Sequence, residues 1–350
     1  MRLTAFFHPL ARIASVTMLA ALSLAGCGGT TPARPDAGTQ PALSSSAPPV
    51  RIGIALGGGA AKGFAHIGVI KMLEANGFAP AVVSGTSAGS VVGALYASGM
   101  NAFEMQEKAV ALDEAKIRDL QLSSGGLLLG QKLEDYVNEQ VRRKPLEQMA
   151  KPFVVVATRL EDGERTVFAR GNTGQAVRAS SSVPGVFQPV TIGKYHFVDG
   201  GIVSPVPVDA ARQLGADIVI AVDISNKARG QTPGDMLGTL GQSIAIMGQK
   251  LGQAELARAD VIIRPQVLDI GSADFSQRTN AILEGEKAAL AVMPQIRERV
   301  AQLQAERANA ARAAQQKAAE AQYQTCLEKR SSLQKLAGMA RLDDSCTAPK

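Results

Sequence analysis

The stretch 83-VSGTSAGSVVGAL-95 decides which fold is expected of this chain, because it runs from a strand through a tight turn into a helix. Its centre at 85–89 is a Gly-x-Ser-x-Gly motif. Gly85 and Gly89 leave room for a turn in which larger side chains would collide with the strand and the helix. Such a turn presents Ser87 at a helix N-terminus, where the helix dipole favours negative charge. The stretch predicts a serine nucleophile; the alternative is a structural turn with a capping serine.

Strand and helix patterns alternate on both sides of this turn. Continuous Val- and Ile-rich runs suit strands that are buried on both faces of a parallel sheet. The runs lie at 51–56, 81–85, 152–159 and 216–223. Helical patterns lie between and around them, at 63–75, 88–98, 102–115, 131–142 and 206–214. The alternation predicts an α/β fold with a parallel sheet.

A glycine-rich loop follows the first predicted strand, in 54-IALGGGAAKGFAHIGV-69. Bare backbone before a helix can hold an anion, so a nucleotide phosphate is the first possibility. A dinucleotide loop needs glycines at offsets 0, 2 and 5, but counting from Gly57 the last offset falls on Lys62. A P-loop ends in Gly-Lys-Ser/Thr, whereas Lys62 here precedes Gly63. Both spacings fail, so the anion must be identified from elsewhere in the chain.

A serine nucleophile needs a base, and histidines are scarce in this chain. The three histidines are His8, His66 and His196. His8 falls in the N-terminal leader, and His66 lies on the helix after the glycine loop, where packing explains it better than catalysis. No histidine follows His196, so the order serine, acid, histidine requires an acid before His196.

Asp199, in the sequence VDGG at 198–201, is the better base. A partly desolvated carboxylate has a raised pKa and can act as a general base beside a serine. Gly200 and Gly201 bend the chain and let the serine turn approach. The alternative is a carboxylate that only caps a loop.

The N-terminal residues have the pattern of an export signal. Arg2 and Arg12 flank an otherwise uncharged start, and the apolar run 13-IASVTMLAALSLAG-26 is too short to span a membrane. Its end resembles the bacterial lipobox, in which the cysteine, here Cys27, carries the lipid. We therefore expect a lipoprotein signal peptide at 1–26, with ordinary secretion and a free Cys27 as the alternative. Glycine rather than aspartate after the cysteine indicates a bacterial cell envelope location, lipid-anchored at the outer membrane and facing the periplasm.

Two segments of biased composition flank the predicted domain at 51–294. Residues 27–50 combine the lipidated cysteine with a Gly-, Pro-, Ser- and Thr-rich disordered linker. Residues 295–350 form a tail rich in Ala, Gln, Glu and Arg, which predicts a long helix. The apolar stripe of this helix thins after Leu303, so its second half is expected to project into solvent or to contact a protein partner.

Composition limits the other partners. The net charge of +6, which includes the two leader arginines, suits anionic lipid but is too small to indicate nucleic acid. The absence of tryptophan also argues against a base-stacking surface. Cys326 and Cys346 remain as an even pair beside Cys27 and could form a disulfide; two free thiols are the alternative. No cluster has the spacing of metal ligands, so neither a metal nor a cofactor is expected.

Three motifs in this order resemble those of the patatin-like phospholipases, which use a Ser-Asp dyad: GGGAAKG at 57–63, GTSAG at 85–89 and VDGG at 198–201. The resemblance spans roughly residues 51–290 and includes GGLLLGQKLEDYV at 125–137 and SSSVPGVFQPV at 180–190. It implies a three-layer α/β/α domain with a mainly parallel sheet. The linker and the tail from residue 295, with its predicted long helix, lie outside the resemblance.

The resemblance also implies a role for each motif residue. Ser87 would be the nucleophile, Asp199 its base, and the amides of Gly57, Gly58 and Gly59 the oxyanion hole. Lys62 stands where the family has Arg or Lys, and its expected role is to hold the loop in place or to set the local electrostatic field. The remaining motif glycines support these turns: Gly63, Gly85, Gly89, Gly200 and Gly201.

The activity that the resemblance implies is hydrolysis of fatty acyl esters, of the phospholipase A or lysophospholipase type, on phospholipid or another acyl ester. Two alternatives stay open. The same dyad could transfer the acyl group to another acceptor or hydrolyse a thioester, or the protein could be a catalytically silent envelope scaffold.

Overall fold

The computed structural model of this chain describes residues 48–117, 128–225 and 234–337, together with Cys346 and Ala348. The predicted signal peptide, Cys27 and most of the linker lie outside these residues. The beginning of the 125–137 motif lies outside them as well.

The described residues contain one eight-stranded mixed sheet with the strand order β5-β6-β3-β2-β1-β7-β8, and β4 pairs with β3 beside this path. The strands are β1 (Ile52–Leu56), β2 (Val82–Thr86), β3 (Phe153–Arg159), β4 (Arg165–Phe168), β5 (Val190–Ile192), β6 (Tyr195–Asp199), β7 (Ile218–Val222) and β8 (Val261–Ile263). The five strands β3, β2, β1, β7 and β8 pair in parallel with one another along this order. Strands β4 and β6 pair antiparallel with β3, and β5 pairs antiparallel with β6. The predicted mainly parallel sheet is confirmed.

Helices cover both faces of the sheet. They are α1 (Ala65–Ala75), α2 (Ala88–Ala97), α3 (Ala102–Val110), α4 (Gln131–Gln140), α5 (Thr173–Ser180), α6 (Val208–Gln213), α7 (Met236–Leu256) and α8 (Arg278–Ala337). Ile54 and Leu56 of β1 face the larger core with α1, α2 and α8, whereas Ala55 faces a smaller core with α6 and Leu256 of α7. This period of two along the strand confirms the three layers.

The long C-terminal helix begins earlier than the composition of the tail predicts. Helix α8 starts at Arg278 and passes through Pro294 without interruption, so the expected domain boundary at 294 lies inside it. Pro294 is exposed, where water can reach the carbonyl that its missing N–H leaves unpaired. The first part of α8 belongs to the larger core through Ala281, Ile282, Ala289, Met293 and Ile296.

Helices α1 and α8 cross in near backbone contact because each contributes a glycine. A Cβ on Gly68 would lie 1.9 Å from the carbonyl oxygen of Ile282, and a Cβ on Gly285 would lie 2.0 Å from that of Ala65. Only glycine fits at either position. The crossing therefore anchors the first part of α8 to the sheet.

Further along α8, polar contacts replace apolar packing. Arg299 Nε lies 3.1 Å from Asp260 Oδ1, and Arg307 donates to the carbonyl of Pro48 at 3.2 Å and pairs with Asp217. Beyond Arg307 most described side chains are exposed, and a disulfide joins Cys326 to Cys346 with 6.0 Å between the Cα atoms. Among the helices of the described ranges, none combines the length and apolarity needed to cross a bilayer.

Candidate active site

Ser87 occupies the sharp turn between β2 and α2, with φ 53 and ψ −125. A positive φ is uncommon for a residue with a side chain, and such strain persists only where neighbours fix the backbone. The Ser87 N–H donates to Ser180 Oγ at 2.8 Å, and the Ser87 carbonyl accepts from the Ser90 hydroxyl at 2.6 Å. These bonds hold the serine in its strained conformation.

The glycines around Ser87 make room for backbone. A Cβ on Gly85 would lie 2.6 Å from the carbonyl oxygen of Gly89, and a Cβ on Gly89 would lie 2.1 Å from that of Leu56. Gly63 has the same function in the glycine loop, because its Cβ would lie 2.7 Å from Ala88 Cβ. The turn, β1 and the loop can therefore pack this closely only with glycine at these positions.

Asp199, the last residue of β6, lies against Ser87. The Ser87 hydroxyl donates to Asp199 Oδ2 at 2.6 Å, and the Gly201 N–H donates to Oδ1 at 2.7 Å. Both side chains are 7% exposed. Strand β3 separates β2 from β6, and a Cβ on Gly200 would lie 2.1 Å from the carbonyl oxygen of Val156 in β3. The close packing of these strands brings together two residues that are 112 positions apart.

Burial makes the Asp199 carboxyl group a weaker acid than an exposed aspartate. Desolvation raises the pKa of Asp199 to about 6, and the hydrogen bonds from Ser87 and Gly201 oppose part of this rise. Near neutral pH the carboxylate is therefore ionised but holds a proton more readily than an exposed aspartate does. A group with this pKa, in hydrogen-bond contact with a serine hydroxyl, is suited to act as a general base.

The glycine loop lies beside the nucleophile, but its amides are not all available. A Cβ on Gly58 would lie 3.2 Å from Ser87 Cβ. However, the Gly57 N–H donates to the Val222 carbonyl at 3.1 Å and the Gly58 N–H to the Pro205 carbonyl at 3.0 Å. The expectation of three oxyanion donors therefore needs correction, because two of these amides already have acceptors.

Two amides near Ser87 have no acceptor within the described residues. They belong to Gly59 and to Ala88, the first residue of α2. The first amides of a helix lack intrahelical acceptors, and the amide after a nucleophilic serine is a common oxyanion donor. The available donors thus come from the glycine loop and from the start of α2.

The two remaining histidines lie outside the dyad. His66 is fully buried, and its Nε2 donates to the Gly57 carbonyl at 2.8 Å. Burial lowers the pKa of His66 to about 4, so the ring is neutral and supports the loop from α1. His196 is exposed and its Nδ1 lies 2.8 Å from Glu161 Oε1. Lys62 is buried, and its N–H donates to the Gly59 carbonyl at 3.2 Å, which closes the loop.

Two polar residues of the site are not identified by sequence reasoning. The hydroxyl of Ser180, which accepts from Ser87, donates to the Val156 carbonyl at 2.5 Å. Glu255 accepts from the Val206 N–H at 2.9 Å and from the Ser204 hydroxyl, and burial raises its pKa to about 7. Glu255 thereby holds the segment whose Pro205 carbonyl binds the Gly58 amide. A signal was present, since Glu255 is the single acid of α7.

No group of His, Cys, Asp and Glu in the described part of the chain could hold a metal ion. The arrangement that remains is a buried serine–carboxylate pair with two nearby backbone donors. Such a pair can attack an acyl carbonyl and stabilise the resulting oxyanion.

Comparison with known proteins gives these residues a context. A family model described as Patatin-like phospholipase matches residues 54–212. An uncharacterized NTE family protein of Mycobacterium tuberculosis is 36% identical over 188 residues, which are 53% of this chain and 52% of that protein. Lysophospholipase NTE1 of Pyricularia oryzae is 30% identical over 181 residues, 50% of this chain and 12% of that protein. The chain thus spans about half the length of the mycobacterial relative.

A solved structure also resembles the chain. VipD from Legionella pneumophila superimposes with a TM-score of 0.42 and 16% sequence identity, covering 71% of this chain and 67% of that one.

Proposed function

Because the chain belongs to the patatin-like phospholipase family, we propose that it is a serine lipid acyl hydrolase of the phospholipase A or lysophospholipase type. The observation that carries the proposal is the 2.6 Å hydrogen bond from Ser87 to the buried carboxylate of Asp199. The name of the fungal relative, a lysophospholipase, supports the choice of substrate class.

The proposed reaction proceeds through an acyl-enzyme. Asp199 takes the proton of Ser87 while Oγ attacks the ester carbonyl, and the tetrahedral intermediate collapses as Asp199 gives that proton to the leaving alcohol or lysolipid. Water then enters, loses a proton to Asp199 and attacks the acyl-enzyme. The proton returns to Ser87 Oγ as the fatty acid leaves, so the dyad ends as it began.

The amides of Gly59 and Ala88 are the proposed oxyanion donors. Both are free of acceptors in the described residues; Gly59 belongs to the glycine loop and Ala88 directly follows Ser87. Loss of one such donor typically lowers kcat by about 10²- to 10³-fold. Gly57 and Gly58 contribute indirectly, because their hydrogen bonds to Val222 and Pro205 shape the loop.

Two substitutions test the dyad. Ser87→Ala and Asp199→Asn should each abolish release of fatty acid from phosphatidylcholine or from a p-nitrophenyl acyl ester. Ser98→Ala is the matched control, because its hydroxyl, at the other end of α2, donates only to the Leu95 carbonyl in the described structure. Normal turnover by either dyad variant would refute the mechanism. Transfer of the acyl group to an added alcohol in preference to water would reassign the enzyme as an acyltransferase.

We further propose that Cys27 anchors the enzyme to the outer membrane by a lipid, facing the periplasm. The leader pattern supports this location, and so does the disulfide between Cys326 and Cys346, because disulfides persist in oxidising compartments. In bacteria fed labelled palmitate, the wild-type chain should carry the label and sediment with the outer membrane. A Cys27→Ser chain that still carries the label would exclude this anchor.

A further inference from the structure

Helix α7 has one face in the protein and a second apolar face in solvent. Its inner face rests on the segment after Asp199: a Cβ on Gly248 would lie 3.7 Å from the Gly201 carbonyl oxygen, and one on Gly252 would lie 3.8 Å from Pro205 Cβ. Glu255 and Leu256 at its end are buried. This inner face accounts for how α7 is held in place, but not for its outer side chains.

The outer face carries a continuous apolar stripe, which we call the α7 stripe: Met236, Leu240, Ile244, Met247 and Leu251. Their spacing of three or four residues places them in one row along a helix. Met236 is 83% exposed, Met247 51%, Leu240 42% and Leu251 39%, while Ile244 is half-buried. Eleven large hydrophobic side chains are exposed in the described residues, and five of them lie on α7: four members of the stripe and Ile246. Such a concentration marks a binding surface.

Charge distinguishes this surface from an ordinary solvated helix. From Met236 to Gln249 the helix has no charged residue, and the first charge along it is the exposed Lys250 beside Leu251. An uncharged apolar row suits contact with the acyl chains of a lipid layer, and a lysine at the edge of that row suits contact with the phosphate headgroups. This combination is typical of a helix that lies in the plane of a lipid surface.

The position of the stripe relates it to the dyad. Gly201, whose carbonyl lies near Gly248, also donates its N–H to Asp199. Two turns further along α7, near its C-terminal end, Glu255 holds the segment that binds the Gly58 amide. A surface that received α7 would therefore meet the protein next to the catalytic residues. An enzyme that hydrolyses lipids must meet its substrate at such a surface.

We propose that the α7 stripe docks the protein on the surface of its lipid substrate, with Lys250 at the headgroups. This inference rests on the proposed function, since the lipid nature of the substrate selects a lipid surface over a second copy of the chain as the occupant.

Tryptophan reporters test the docking directly, because the chain has no tryptophan of its own. Met247→Trp and the control Leu290→Trp replace side chains that are 51% and 50% exposed, on α7 and α8 respectively. Both are made in the full chain with Ser87→Ala, so that no lipid is consumed. With vesicles of phosphatidylcholine and phosphatidylglycerol, the α7 reporter should shift to shorter wavelengths and be quenched by brominated acyl chains, whereas the α8 reporter should not.

Other outcomes overturn the proposal. Equal responses of the two reporters, or no response at α7 while the protein sediments with the vesicles, would show that another part of the chain meets the lipid. A shift at α7 that appears without vesicles and grows with protein concentration would assign the stripe to a second copy.

A kinetic test separates docking from catalysis. The double substitution Leu240→Glu with Met247→Glu should lower the ratio of turnover on vesicles to turnover on dissolved p-nitrophenyl butyrate by roughly ten-fold or more. The control Leu290→Glu should leave this ratio at the wild-type value. An unchanged ratio in the double variant would refute the docking surface. A wild-type chain that hydrolyses neither substrate would refute the proposed function instead, and the reporter experiment would still decide the docking.

Discussion

The ionisation of one residue, Asp199, should set how the activity depends on pH. Burial raises its pKa to about 6, and only the ionised form can take the Ser87 proton. We expect kcat/KM for a p-nitrophenyl ester to be level above about pH 7 and to fall as the pH drops through about 6. A pH titration of kcat/KM measures this. An acidic limb near pH 4, the ordinary range of an aspartate, would contradict the assignment.

The same raised pKa predicts an effect on stability. The folded state binds the Asp199 proton more tightly than the unfolded chain, so stability is lost as the pH rises from about 4 through about 6. Asp199→Asn removes the buried charge, and two pKa units correspond to about 3 kcal/mol, which is an upper limit for the gain. The variant should be more stable than wild type at pH 7.5 and lose that advantage at about pH 4.

Urea unfolding at both pH values tests this expectation. A variant that is less stable than wild type at the higher pH would show that Asp199 also has a structural role that outweighs its desolvation.

Some residues of the site follow from sequence and others do not. The Gly-x-Ser-x-Gly turn and the Asp-Gly-Gly sequence are local patterns, so the sequence alone identifies Ser87 and Asp199 as candidates. It does not show whether the Gly57 and Gly58 amides are available, because their acceptors, Val222 and Pro205, are distant along the chain. Local motifs identify reactive groups, whereas the supply of hydrogen-bond donors depends on long-range packing.

At the scale of the element, the crossing of α1 and α8 should be sensitive to a single methyl group. Gly285→Ala places Cβ 2.0 Å from the Ala65 carbonyl oxygen, which forces the helices apart. Overpacking of this kind typically costs about 1–3 kcal/mol, and the contact with backbone favours the upper end. Urea unfolding should show this loss.

Gly241→Ala is the control for that substitution. No atom lies within 4 Å of the added Cβ, and the better helix propensity of alanine should raise stability by up to about 1 kcal/mol. Equal destabilisation by both substitutions would mean that the close approach of α1 and α8 is not what constrains Gly285.

The strands are predicted well because each is a continuous apolar run in the sequence. The start of α8 at Arg278 is not predicted. Gly285 and Pro294 look like helix-ending residues in a sequence. In the fold, Gly285 lies at the crossing with α1 and Pro294 faces solvent, so tertiary packing overrides both signals.

For the whole molecule, the length of chain needed for a stable fold should be set by the docked part of α8. A chain ending at residue 294 would lose buried Ile296 and the contacts of Arg299 and Arg307. Burial of a side chain such as that of Ile296 is worth about 1.5–3 kcal/mol, so this chain should be destabilised by at least about 1.5 kcal/mol. A chain ending at residue 312 should unfold at nearly the same temperature as the full chain. Its Ser87 should still react with a fluorophosphonate probe.

Thermal unfolding of the two shortened chains makes the comparison. Equal stability of both would place the structural boundary at 294, as composition alone suggests. The sequence predicts the layers of this molecule because alternation is local, but strand order and the extent of α8 depend on which distant surfaces meet.

Helix α8 makes an ion pair with the α/β unit at Arg307 and continues to Ala337. At about 1.5 Å per residue, the remaining part is an arm about 45 Å long. Such an arm magnifies angles: a tilt of about one degree at its docked base displaces its tip by roughly 0.8 Å. The contact of Arg307 with Asp217 is therefore the pivot of a lever, and its tightness sets how accurately anything carried at the tip is aimed.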